Sequence, residues 1–219
     1  MARSLTLGGH PALLDKPKDA VALLVLAHGA GAGMRHHFMV DFAAALVKQK
    51  VAVLRWEFPY MAAGKARPDS AKVAEASVRE VWTASAKFAL PRFAGGKSFG
   101  GRMTSRAHAA EPLADLRGIV FVGFPLHPPK EPAQASVRAE HLAAATGPML
   151  FLQGTRDDLA DLTLLRPVIK RLGGRAKLHV IDGADHGFEV LVRSGRTNAD
   201  VIDELARTTR AWIDATLDT

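Results

Sequence analysis

Short apolar runs and longer amphipathic stretches alternate along the chain. An apolar run is typical of a strand covered on both faces, and apolar residues at helical spacing are typical of an amphipathic helix. Strands are predicted at 21–26, 51–55, 92–96, 118–122, 148–152 and 177–181, with an additional edge strand at 6–14. Helices are predicted at 38–48, 70–88, 99–109, 159–172 and 198–216, with a kink at Pro167. This order predicts an α/β protein with a mostly parallel sheet of six to seven strands and helices on both faces.

The length of 219 residues favours one large domain over two small ones, so a single domain is predicted over 1–219. Nearly half of the residues are hydrophobic, 48%, and 23% are charged, which is ordinary for a globular protein. The stretch 123–147 separates two predicted strands and contains four prolines. It is too short for a large cap domain, so an open cleft is expected.

The composition excludes several kinds of chemistry. The chain has no cysteine, which rules out thiol catalysis, cysteine-ligated zinc and iron–sulfur clusters. No metal or organic cofactor is expected. A cysteine-free chain also fits a reducing compartment, so a cytoplasmic location is predicted.

The net charge of +7 could indicate an anionic partner. However, the basic residues are scattered and form no run of five. A single tyrosine also leaves few aromatic platforms for nucleic-acid bases, so no nucleic-acid partner is expected. The first nine residues lack the apolar stretch of a signal peptide, and the longest apolar runs are too short to span a bilayer. We therefore expect a small-molecule substrate and no membrane partner.

A glycine-rich turn follows the third predicted strand. Gly96–Lys97–Ser98–Phe99–Gly100 matches the G-x-S-x-G nucleophile elbow, in which serine projects from a sharp strand-to-helix turn. The helix that begins after Ser98 directs backbone N–H groups toward developing negative charge. The alternative is a glycine-rich turn with an incidental serine. The strand before the motif and the helix after it favour the nucleophile.

The loop after the first predicted strand reads His28–Gly29–Ala30–Gly31–Ala32–Gly33. An oxyanion hole draws one backbone donor from such a loop, so the N–H groups of Ala30 and Phe99 are predicted to form it. A nucleotide site is the rival interpretation, but the glycines do not fit G-x-G-x-x-G and no P-loop follows. His28 could be a base, although a structural histidine is favoured.

Two further strands are followed by residues that would complete a serine triad. Asp157 follows the strand at 148–152, and a carboxylate there can orient an imidazole. Asp158 and Asp161 are alternatives close to it. His186 follows the last predicted strand and is the candidate base. Ser98, Asp157 and His186 occur in the chain order of α/β hydrolases, each directly after a strand.

Residues 95–102, Gly-Gly-Lys-Ser-Phe-Gly-Gly-Arg, resemble the G-G-x-S-M-G-G-R elbow of a small α/β-hydrolase family. That family comprises predicted hydrolases related to dienelactone hydrolases, testis-expressed protein 30 and a subunit of the NSL histone acetyltransferase complex. Other matching blocks lie at 26–31, 55–61, 123–129 and 154–157, so the resemblance extends from about residue 20 to the C-terminus. It implies an α/β-hydrolase fold and a triad at Ser98, Asp157 and His186. Phe99 replaces a common methionine, and Gly187 replaces a common serine.

The predicted activity is that of a serine hydrolase, which cleaves an ester or similar acyl bond through an acyl-enzyme. Carboxylesterase and thioesterase activities are the leading expectations, with lactonase and peptidase left open. Because some relatives serve in protein complexes, the alternative is a non-catalytic interaction protein with the same fold. The pattern does not indicate an oligomeric state.

Overall fold

The computed structural model describes residues 2–219, in which eight strands form one sheet in the order β1-β2-β4-β3-β5-β6-β7-β8. The strands β3 to β8 pair in parallel, whereas β2 is antiparallel to both β1 and β4. Their bounds are β1 Arg3–Leu7, β2 His10–Asp15, β3 Ala22–Ala27, β4 Val51–Trp56, β5 Arg92–Lys97, β6 Leu116–Val122, β7 Met149–Arg156 and β8 Ala176–Asp185.

Helices cover both faces of the sheet, as the strand–helix alternation predicts. Their bounds are α1 His37–Lys48, α2 Pro59–Ala62, α3 Ala71–Ser85, α4 Phe99–Ala110, α5 Ala135–Ala139, α6 Leu162–Leu172 and α7 Asn198–Leu217. Neighbouring residues of β3 point to opposite faces, so Leu24 packs in the core beneath α1 and α7, while Leu23 packs in the core beneath α3 and α4. Because β3 to β8 are parallel, their carboxyl ends lie together at one edge of the sheet.

The count of eight strands corrects the prediction of six to seven. The predicted edge strand at 6–14 is in fact two strands, β1 and β2, joined by Gly8 and Gly9. Both glycines have positive φ, +57° and +85°, which suits a two-residue hairpin turn. A side chain on Gly8 would also lie 2.5 Å from the Glu80 carbonyl oxygen, so the chain reverses where only glycine fits.

The helix predicted at 159–172 begins three residues later, at Leu162. Asp161 ends the preceding loop, and its carboxylate accepts a hydrogen bond from the Thr163 N–H at 2.7 Å, which caps the new helix. Pro167 lies inside α6, which continues to Leu172. Between β6 and β7, short helical turns replace any large cap, and their buried side chains pack on β6 and β7.

The glycines of β5 are required because this strand lies at the centre of the sheet, between β3 and β6. A Cβ on Gly95 would lie 2.3 Å from the carbonyl oxygen of Val120 on the neighbouring strand. A Cβ on Gly96 would lie 2.4 Å from the Gly101 nitrogen. The small residues thus let α4 and β6 approach the strand that carries Ser98.

Gly95→Ala is expected to destabilise the fold by about 1–3 kcal/mol or more, because backbone must move to admit one methyl group. This corresponds to a fall of several degrees in the melting temperature, measured by calorimetry. Gly174→Ala is the matched control, since a Cβ there meets nothing within 4 Å. Equal melting temperatures for the two variants would contradict the steric argument.

Among residues 2–219, no helix is long and apolar enough to cross a membrane.

Candidate active site

Ser98 occupies a strained turn between β5 and α4. Its backbone has φ 50° and ψ −116°, a conformation that costs a non-glycine residue about 1–3 kcal/mol. Its N–H donates to the Val122 carbonyl at 3.0 Å, which ties the turn to the end of β6. A Cβ on Gly100 would lie 2.5 Å from the His28 carbonyl oxygen, so the start of α4 packs directly against the loop after β3. The hydroxyl of Ser98 consequently faces the open edge of the sheet.

His186 follows β8 and reaches Ser98 across the edge of the sheet. Its Nε2 accepts a hydrogen bond from the Ser98 hydroxyl at 2.8 Å. The loop is anchored by Phe188, which is buried and stacks on Phe38 of α1 with ring centroids 5.6 Å apart. The Phe188 N–H donates to the Asp185 carbonyl at 3.0 Å, which closes a tight turn around His186.

Asp157 follows β7, and its carboxylate is fully buried. His186 donates from Nδ1 to Asp157 Oδ2 at 2.8 Å. The other oxygen, Oδ1, accepts from the Leu159 N–H at 2.8 Å. Gln153 also donates its amide N–H to Oδ2. The carboxylate is thus held by three donors, and the imidazole proton is directed to Nδ1.

The other acidic residues after β7 do not join this arrangement. Asp158 is exposed, and Asp161 caps α6. The structure therefore brings together Ser98, His186 and Asp157, the three residues that the strand order predicts to be neighbours.

His28 has a structural role, in agreement with the favoured interpretation. The Phe58 N–H donates to its Nε2 at 3.1 Å, and its Nδ1 donates to the Gly29 carbonyl at 2.7 Å. Both ring nitrogens are therefore occupied. Burial lowers the pKa of His28, although the bond to Gly29 opposes this shift, so the ring stays neutral. It joins the loop after β3 to the segment after β4.

Tyr60, the single tyrosine of the chain, braces the same loop. Its hydroxyl donates to the Ala30 carbonyl at 2.7 Å and lies 3.3 Å from the Gly29 carbonyl oxygen. Burial raises the pKa of Tyr60 to about 12, so the hydroxyl remains a donor at neutral pH. Tyr60 also packs edge-on against Phe99, with ring centroids 6.5 Å apart. The segment after β4 therefore supports the two positions predicted to supply the oxyanion donors.

Phe99 follows Ser98 directly, and Ala30 lies in the loop after β3, which approaches Ser98. Phe99 is the first residue of α4, where a helix leaves its N–H groups without intrahelical acceptors. In the loop after β3, a Cβ on Gly29, the residue that precedes Ala30, would lie 3.8 Å from the Ser98 Cβ. The backbone of this loop thus passes close to the hydroxyl of Ser98.

A cavity of about 340 Å³ opens over Ser98 and His186. The backbone of 29–32 forms one wall, and the side chains of Phe38, Met39 and Leu159 form apolar walls. None of the described residues that line it is acidic. Its size is at the lower end of the range for ligand pockets, which favours a small substrate group.

Sequence reasoning missed two polar residues of the site. Gln153 lies inside β7, and a buried polar residue within an apolar run indicates a hydrogen-bonding role. Its Oε1 accepts a hydrogen bond from the Phe124 N–H at 3.0 Å. Lys97 occupies a variable position of the elbow motif, so nothing in the motif distinguishes it. Its ammonium donates to the carbonyl oxygen of His186.

Within residues 2–219, no group of three or more histidine, aspartate or glutamate side chains is arranged to hold a metal ion.

A sequence model described as an alpha/beta hydrolase domain matches residues 20–214, which is most of the chain. The chain belongs to this family. The hydrolase fold explains why the serine, aspartate and histidine each follow a strand, because the family places its site at the carboxyl edge of the sheet.

Solved structures show the same fold over the full length of this hydrolase-family chain. TT1662 from Thermus thermophilus is 22% identical, with a TM-score of 0.72 and coverage of 100% of this chain and 99% of that one. Dienelactone hydrolase from Anabaena variabilis is 18% identical, with a TM-score of 0.74 and coverage of 98% and 96%. XC6422 from Xanthomonas campestris, an α/β serine hydrolase without a lid, is 18% identical, with a TM-score of 0.71 and coverage of 96% and 94%.

Proposed function

We propose that this single-domain protein is a serine hydrolase that cleaves an ester or similar acyl bond through an acyl-enzyme. The observation that carries the proposal is the continuous hydrogen-bond chain from the Ser98 hydroxyl through His186 to the buried Asp157, with both bonds at 2.8 Å. A nucleophile, a base and a group that orients the base are the minimum for this chemistry.

Each residue has one role in the proposed reaction. His186 accepts the Ser98 proton at Nε2 as Ser98 Oγ attacks the substrate carbonyl carbon. Asp157 keeps the other imidazole proton on Nδ1 and stabilises the imidazolium that forms. His186 then returns the proton to the leaving group, and water attacks the acyl-enzyme by the same route. No metal or organic cofactor enters any step.

The oxyanion of the tetrahedral intermediate would be bound by the N–H groups of Phe99 and Ala30. Removing one such donor typically raises the barrier by about 2.7–4 kcal/mol. The hydrogen bonds of Tyr60 and His28 to the carbonyls of 29–30 support this assignment, because they fix the backbone of the loop before the substrate arrives.

The cavity over Ser98 favours a small acyl group without a positive charge. Its apolar side-chain walls are Phe38, Met39 and Leu159, and His36 and Lys97 also border it. None of the described residues that line it has a carboxylate to bind a cationic substrate. We propose carboxylesters or thioesters of short acyl chains as the substrates. The short segment between β6 and β7 leaves the cleft accessible, which suits such small molecules.

Within the family, we propose that the chain belongs to the small group that includes testis-expressed protein 30, on the strength of the Gly-Gly-Lys-Ser-Phe-Gly-Gly-Arg elbow. The non-catalytic alternative is not favoured, because a pure interaction protein has no need for a strained serine that is hydrogen-bonded to a buried Asp–His pair. The cytoplasmic location and the absence of nucleic-acid and membrane partners stay predictions.

Labelling with a fluorophosphonate probe tests the proposal. We expect one adduct on the wild type, located on Ser98 by peptide mass spectrometry, because only an activated serine attacks the probe at neutral pH. His186→Ala is expected to lower the labelling rate at least about 100-fold, since general-base catalysis contributes about 10²–10⁴-fold. A folded wild type that does not label would overturn the proposal and favour the interaction protein.

A further inference from the structure

The ammonium group of Lys97 contacts the backbone of His186, the proposed catalytic base. It precedes Ser98 in the elbow, and its Nζ donates to the backbone carbonyl of His186, 89 residues away in sequence. The side chain is partly buried and borders the cavity that contains Ser98. The proposed acyl-transfer steps use neither this amine nor this carbonyl, so the contact needs its own explanation.

The surroundings of Lys97 hold its amine in one place. Nζ lies 5.7 Å from the ring centroid of Phe38 and 5.4 Å from that of Phe188, and these two rings stack on each other. A Cβ on Gly123 would also come within 3.3 Å of Nζ and 3.4 Å of the His186 Nδ1. The amine and the imidazole are therefore packed into one tight space at the end of β6.

Keeping an ammonium there is unfavourable by itself. Burial lowers the pKa of Lys97 to about 8, and the negative charges of Asp157 and Asp185 only partly oppose that shift. The other titratable groups that face it are His186 and His36, and the charge of Lys97 contributes to the lowered pKa of His36, after burial and His37. At pH 7 most Lys97 amines are still charged, so the fold retains a costly cation next to the base.

We propose that Lys97 is a positioning residue, whose ammonium holds the His186 backbone and thereby keeps the imidazole between Ser98 and Asp157. A charge-assisted hydrogen bond is roughly twice as strong as a neutral one, which suits the task of fixing a loop residue. Lys97 acts through His186 and touches no reacting atom. The proposal rests on the hydrolase function for its kinetic test, and on the Asp157–His186 hydrogen bond for its structural test.

Lys97→Met removes the ammonium and keeps an unbranched chain of similar length. We expect kcat to fall about 10- to 100-fold on a short-chain p-nitrophenyl ester, because a small displacement of a catalytic group has an effect of this size. KM is expected to stay within about threefold, since Lys97 acts on the base and not on ground-state binding. The melting temperature should change little, because the lost hydrogen bond is offset by removal of a buried charge.

Chemical rescue separates positioning from simple packing. The chain contains no cysteine, so Lys97→Cys introduces its single thiol. In the unfolded protein, the thiolate displaces bromide from 2-bromoethylamine and forms a C–S bond, which restores an amine at the lysine length; the protein is then refolded. Alkylation with 1-bromopropane gives a neutral chain of equal length as the matched control. Recovery of kcat with the amine and not with the propyl group is the expected result, and equal kcat for both would overturn the proposal.

Proton NMR tests the positioning without any substrate. The proton in the Asp157–His186 hydrogen bond should give a downfield signal in the wild type, and this signal should shift or broaden in Lys97→Met. If that variant does not fold, the pH dependence of the wild-type signal tests the same point. Loss of the Lys97 proton, whose pKa is about 8, should move the signal. A signal that stays constant from about pH 7 to 10 would overturn the proposal. A wild type that shows the expected signal change but hydrolyses no ester would instead refute the hydrolase function alone.

Discussion

Ser98→Ala should lower kcat/KM for ester hydrolysis by at least about 10⁴-fold, the largest effect expected of any substitution in this chain. The substitution removes the attacking oxygen and leaves the His186–Asp157 hydrogen bond in place. Alanine tolerates the strained backbone of position 98 no worse than serine does, so the fold should persist. Initial rates on a short-chain p-nitrophenyl ester, with circular dichroism to verify folding, measure the effect.

Ser105→Ala provides the matched control on the same helix. Ser105 is also buried in α4, where its hydroxyl is 2.8 Å from the His141 Nε2 and 3.0 Å from the Arg102 carbonyl oxygen. These contacts lie outside the Ser98–His186–Asp157 hydrogen-bond chain. Loss of the Ser105 hydroxyl should therefore lower stability and leave kcat/KM within a few-fold of the wild-type value. Residual activity in Ser98→Ala comparable with that of Ser105→Ala would contradict the assignment of Ser98 as nucleophile.

Asp157→Asn should produce the second-largest effect, a fall in kcat of about 10⁴-fold. The asparagine has almost the same shape, but an amide N–H in place of Oδ2 can no longer accept from the His186 Nδ1. The imidazole then carries its proton on Nε2, where it cannot accept one from Ser98. The loss should appear in kcat and in the rate of fluorophosphonate labelling alike.

The adjacent carboxylates test whether this effect is specific. Asp158→Asn alters an exposed side chain one residue away, and Asp161→Asn alters the cap of α6. Both variants should retain activity within about threefold, because neither carboxylate contacts His186. An Asp158→Asn variant as inactive as Asp157→Asn would mean that the loop, and not the particular carboxylate, governs the activity.

Most of the candidate site could be predicted because its residues belong to short sequence motifs. The elbow at 96–100 requires glycine, serine and glycine at fixed spacing, and the aspartate and histidine each follow a recognisable strand. Parallel strands bring their carboxyl ends to one edge, so residues 59 and 29 positions apart in the chain become neighbours in space. In the structure, two hydrogen bonds of 2.8 Å join the three side chains.

The residues that support the site gave weaker local signals. Tyr60 belongs to the segment after β4, whose sequence fits ordinary packing as well as a place beside the site; in the structure its hydroxyl fixes the loop after β3. Gln153 lies in an apolar strand, and its hydrogen bonds to Asp157 and to the Phe124 N–H explain it. The hairpin at Gly8 and Gly9 was predicted as one strand, because a short edge hairpin shows little hydrophobic contrast between its two arms.

The sequence by itself determined the strand–helix order, the α/β class and the choice of Ser98, Asp157 and His186 as the candidate triad, because periodicity and turn chemistry act over a few residues. Only the tertiary structure decided the number of strands, the structural role of His28 and the contact between Lys97 and the His186 backbone. Those features depend on pairings between segments far apart in the chain, and the geometry of such pairings is created by packing and not by local pattern.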